Sequence, residues 1–88
     1  MVKGNLKSGF AFEIDVEALN DMRFVEALAD VEKNGLALPK VCEMMLGREQ
    51  KERLYEHLQD ENGRVPIEAV NSAIIEIMTT AGKETKNL

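Results

Sequence analysis

Eighty-eight residues are enough for one small domain with a modest core. The formal net charge is −5, from 16 acidic and 11 basic side chains. This argues against nucleic acid, whose binding rests on Lys and Arg neutralising phosphates, and against an anionic membrane surface. Cys42 is the lone cysteine, so no internal disulfide framework is available. No apolar run near Met1 has the length of a signal peptide, and no stretch reaches the span of a membrane helix, so a cytosolic protein is expected.

The first patterned stretch is an alternation. Phe10, Phe12 and Ile14 interleave with Ala11, Glu13 and Asp15. Period two in residues of high β-propensity is the signature of a half-buried strand. Ser8-Gly9 suits a hairpin turn, with residues 3–7 as the partner strand. A two-stranded hairpin is marginal alone, so this one must lie on helices or pair with another chain. Phe10, Phe12 and Ile14 are therefore the candidate self-association residues.

Asp15 or Asp21 suits the N-cap of the first helix, because a carboxylate accepts the free N–H groups of a first turn. From Met22 the apolar positions are Phe24, Val25, Leu28, Ala29 and Val31, with Arg23, Glu26, Asp30 and Lys33 outside the stripe. Asn34-Gly35 is expected to end this helix, since both tolerate positive φ. Residues 15–33 carry most of the acidic excess. That face reads as solvated surface or as a contact for a basic partner.

The chain is organised around residues 36–58, a short helix, a glycine and a more charged helix. Leu38-Pro39 gives a sharp start. Val41, Cys42, Met45 and Leu46 then fall on one side. Gly47 is expected to close the turn in the left-handed conformation. Residues 48–58 restart, with Leu54, Tyr55 and Leu58 as the apolar face. Residues 59–63 read as a turn, and Val65-Pro66 starts the last helix. Ile67, Val70, Ala73, Ile74, Ile77, Met78 and Ala81 make it the clearest amphipathic segment. Gly82 is expected to end it, leaving residues 83–88 as a disordered polar tail. The expected fold is mainly α: a compact bundle of about four helices with a short N-terminal β-strand or β-hairpin, in one domain over residues 1–82.

Three patterns have the outline of chemistry. Residues 60–65, DENGRV, fit part of a calcium loop with Gly63 at its sixth position. Its first and twelfth positions are then Leu58 and Ala69, which leaves too few oxygen ligands. The helix, glycine, helix pattern around Gly47 resembles a DNA reader, but Arg48, Lys51 and Arg53 are offset by Glu49, Glu52 and Glu56. His57 and Cys42 cannot complete a zinc site by themselves. A cysteine–histidine nucleophile needs them adjacent in space, and His57 reads as the end of a helix, satisfied by carbonyls or solvent. No glycine-rich phosphate loop occurs. The chain is expected to be no enzyme, with no catalytic or metal residues and no cofactor. A binding module remains. Met44 and Met45, with Met22 and Met78 on other helices, fill the core or offer an adaptable surface. The candidate partner-binding residues are Met44, Met45, Leu46, Leu54 and Tyr55.

The string LALPKVCEMMLGREQKERLYEHLQDENGRVPIEAV, with SGFAFEIDVEALNDMRFVEALADVEK before it and AGKETKN after it, resembles the small tail assembly chaperones of long-tailed phages and prophages of Gram-positive bacteria. The resemblance covers nearly the whole chain. It rests on the order and spacing of the SGFAFEID strand, the DMRFVEALAD helix, the LPK start, the LG break, the charged helix, the DENGRVPIEAV turn and the AGKETKN ending. It implies a mostly helical, self-associating assembly factor of the host cytoplasm, not expected in the mature virion. Such proteins coat the tape measure protein, keep it soluble, and give way as tail tube protein polymerises. In many such phages a ribosomal frameshift near the end of the gene adds a second domain that recruits tail tube protein. The rival readings are a small regulatory protein-binding adaptor and a minor structural subunit of the virion.

Overall fold

A computed structural model describes residues 1–85. The alternation at the start becomes a hairpin within the chain. β1 (Val2–Asn5) pairs antiparallel with β2 (Ala11–Ile14), Val2 opposite Ile14 and Asn5 opposite Ala11. The Leu6 N–H donates to the Phe10 carbonyl and the Gly9 N–H to the Leu6 carbonyl, each at 2.8 Å. Gly9 sits at φ +99°, a conformation that side chains with a Cβ rarely adopt. Phe10, Phe12 and Ile14 all turn inward and are buried.

Both candidate caps are used, so the one expected helix is two. Asp15 accepts from the Glu17 N–H at 3.0 Å and starts α1 (Val16–Leu19). Asp21 accepts from the Arg23 N–H at 2.8 Å and starts α2 (Met22–Lys33). α2 buries a narrower stripe than its pattern suggests. Phe24 and Ala27 are buried, Leu28 and Val31 are half-buried, and Val25 is exposed. Nor does α2 end through positive φ. Asn34 is extended, at φ −148° and ψ 101°. Its side-chain oxygen accepts from the Leu36 N–H at 3.0 Å. The amide starts the next element, a 3-10 turn (Gly35–Ala37), instead of closing the last one.

α3 (Leu38–Leu58) opens with proline in its first turn and is interrupted at Gly47, at φ +80° and ψ 163°. This is not the left-handed helical conformation expected, but a region essentially reserved for glycine. It folds the two halves of α3 against each other. Cys42 and Tyr55, one from each half, lie close enough to shift each other's ionisation, whereas an unbroken helix would rise about 20 Å between those positions.

The turn over residues 60–64 repeats the backbone pattern of the hairpin turn. The Asp60 N–H donates to the Arg64 carbonyl at 2.7 Å and the Gly63 N–H to the Asp60 carbonyl at 2.9 Å, with Gly63 at φ +77°. α4 (Ile67–Thr85) follows. It runs through Gly82, because one glycine costs an interior helical position only about 1 kcal/mol. The expected disordered tail therefore begins in helix, and residues 86–88 lie outside the described residues. The core joins the inner face of the hairpin to α2, α3 and α4, with Ile14, Val41, Cys42, Leu54 and Ile77 fully buried. Burying each of the large aliphatic side chains contributes about 1.5–3 kcal/mol. The architecture is mainly helical, four helices with a short N-terminal two-stranded antiparallel sheet, as the patterning predicts. Among the described residues no helix is long and apolar enough to cross a membrane.

Candidate partner-binding groove

Met45, Leu46 and Leu54, expected to line a groove, are core residues instead. The break at Gly47 presses the two halves of α3 together, and β2 packs on them, so those side chains face inward. Met44 and Tyr55 are half-buried at the edge of that core. The five candidates are not brought together as an open surface. Phe10, Phe12 and Ile14 likewise face the protein's own helices. Association of a second chain through the hairpin would have to use its edges, not these side chains.

The open apolar surface lies elsewhere. α2 packs on α3 and on the 3-10 turn, and α4 packs on α3, while α2 and α4 make little contact with each other. A groove of about 850 Å³ runs between them. Leu28 and Val31 of α2 form one wall, Ile67, Ile75 and Met78 of α4 the other, and Leu38 and Val41 of α3 lie at the floor. A second recess of about 490 Å³, walled by Leu19, Val25 and Ala81, shares Leu28 and Met78 with the first. The two recesses therefore adjoin between α2 and α4. Ile67 is 73 % exposed and Ile75 56 % exposed. Single exposed aliphatics are ordinary, but these two line the same recess. Among the described residues the charged ones lining the two recesses are Glu17, Glu32 and Glu68, all acidic.

A third recess, about 750 Å³, lies between the outer face of the hairpin and the restart of α3. Its lining mixes Lys3, Glu13, Arg48, Glu49 and Arg53. Gln50 bridges it. Its side-chain oxygen accepts from the Glu13 N–H at 2.8 Å, and its Nε2 donates to the Glu13 carbonyl at 2.6 Å and the Leu46 carbonyl at 2.8 Å. One side chain thus occupies the outer edge of β2 as another strand would, and this recess is poorly suited to strand addition.

The residues weighed for chemistry are kept apart. Cys42 is sealed in the core against Tyr55, and burial pushes its thiol above the ordinary range. His57 lies at the surface, 3.0 Å from the Ser8 hydroxyl and beside the Phe10 ring. The Asp60 carboxylate accepts the N–H groups of Asn62 and Arg64, at 2.9 and 3.0 Å, and so is engaged within its own turn. Among the described residues no three His, Cys, Asp or Glu side chains gather where they could hold a metal ion.

No family model, curated protein or solved structure matches the chain. The site therefore rests on its own geometry.

The sequence pattern places Ile67 in the apolar stripe of α4, where it is exposed instead, and it passes over Ile75, whose exposure was legible. Ile74 and Ile75 are consecutive, and consecutive helical residues point about 100° apart. Only one of them can face the core, and it is Ile74. Ile67 begins α4, one turn before its buried stripe starts at Val70.

Proposed function

We propose that this protein is a non-catalytic helix-binding module acting as a tail assembly chaperone for a tape measure protein. The observation that carries the reading is the open apolar trough between α2 and α4, with Ile67 and Ile75 exposed along it. A trough between two helices accepts the apolar face of a third, as in other helix-in-groove complexes. A long tape measure helix bears apolar stripes that aggregate unless covered. Many copies, each binding modestly, cover it by multivalency and remain displaceable as tail tube protein polymerises. On this reading the protein works in the host cytoplasm, its copies associate along the tape measure, and it is absent from the finished virion.

The test is co-expression with the tape measure protein of the same genome. The wild type should keep it soluble. The variant Ile67→Asp with Ile75→Asp, at two exposed positions, should lose that effect while its circular dichroism stays unchanged. Undiminished solubilisation by the folded variant would refute the groove as the site. Detection of the protein as a stoichiometric component of purified virions would refute the chaperone role in favour of a structural subunit.

A further inference from the structure

We propose that the occupant of the α2–α4 groove is an amphipathic helix whose apolar stripe is flanked at both ends by lysine or arginine. The inference rests on the helix-in-groove reading above and adds the partner's charge and length. Both follow from how the trough is built.

α2 spans 12 residues, which sets a wall of about 18 Å. The two walls run in opposite directions. The recess at one end brings Glu32 near the end of α2 together with Ile67 and Glu68 at the start of α4. The recess at the other brings Val25, early in α2, together with Ala81 and Gly82, and adds Glu17 of α1. Leu28 and Met78, common to both recesses, mark the middle. The apolar centre therefore suits about three to four helical turns, with anchors spaced i, i+3 or i+4, i+7 and i+11.

Each end of that centre carries carboxylate: Glu32 and Glu68 at one, Glu17 at the other. All three are exposed, and none has a side-chain partner among the described residues. Among the described residues no lysine or arginine lines either recess. A helix with basic residues beside its stripe gains at both ends, and one with acidic residues is repelled at both. The same charge disfavours a second copy of this chain as occupant, since the chain is at −5 overall.

Isothermal titration calorimetry with two synthetic peptides tests this on the intact protein. Both peptides have about 14 residues and the same leucine stripe. One carries lysine at the flanking positions and the other glutamate. Three exposed charge pairs should make the lysine peptide about tenfold tighter at low salt, with the advantage shrinking as salt rises. The variant Glu32→Lys with Glu68→Lys should reverse the preference. The variant Glu32→Gln with Glu68→Gln, which removes charge without reversing it, should reduce it. Equal binding of both peptides, or a preference unmoved by these substitutions, overturns the charge inference and leaves the groove reading intact. Binding of neither peptide overturns both.

Discussion

A primary amide carries a donor and an acceptor, and Gln50 uses both on the backbone of Glu13 while reaching the Leu46 carbonyl. It thereby ties β2 to both sides of the break at Gly47. Gln50→Ala should cost about 1–2 kcal/mol, since each such bond is worth roughly 1 kcal/mol net, and urea melts would read the loss. Cys42 supplies a pH dependence. Burial is the main cause that raises its thiol above the ordinary value of 9.0, while the hydrogen bond from Tyr55 and the charge of Lys51 oppose it. Tyr55 is raised above 10.0, again by burial first and then by Cys42. A raised value means that the folded protein holds its proton more tightly than the unfolded chain. Stability is therefore complete below the thiol's unfolded value and falls as pH rises through it towards the folded value. Urea melts on the alkaline side of 9.0 should show this decline, and Cys42→Ala, although less stable at neutral pH, should show a flatter one. The thiol should also react slowly with a disulfide reagent in the native state and quickly once unfolded.

At the scale of elements, two glycines that look alike in sequence should behave oppositely. Gly47 has open space around it, but its φ of +80° excludes other residues on strain alone. Gly47→Ala should destabilise by about 1–3 kcal/mol. Gly82 also has open space, lies within α4 and is not at positive φ. Gly82→Ala should stabilise by about 0.5–1 kcal/mol, read as a rise in the thermal midpoint. A glycine in a helical pattern announces a break only where backbone dihedrals change, and the residue type does not say which case applies. That limit explains what was legible. The alternation of Phe10, Phe12 and Ile14, the Ser8-Gly9 turn, the Pro39 start and the last amphipathic helix could all be read, because each is a local pattern with a local cause. The double capping by Asp15 and Asp21 and the use of Asn34 to start a turn were ambiguous locally. The burial of Met45, Leu46 and Leu54 was missed for a different reason. Whether Met45 or Ile75 faces water depends on how far the Gly47 break folds α3 back on itself, which is tertiary information.

For the whole molecule, the contrast between the two apolar populations matters most. Residues such as Leu54 and Ile77 hold the fold, whereas Ile67 and Ile75 contribute little to it. Replacing the latter pair by polar residues should change folding stability by no more than about 0.5 kcal/mol per site, by urea melts, while removing partner binding. The arrangement of α2 and α4 carries one more consequence. Each leans on α3 and hardly on the other, so the faces they turn to the trough lack a neighbour until it is filled. A docked helix would act as a splint across them. Amide hydrogens of α2 should exchange with solvent more slowly in the complex, and the melting temperature should climb with partner concentration, by about 2.7 kcal/mol of added stability at a hundredfold excess over Kd.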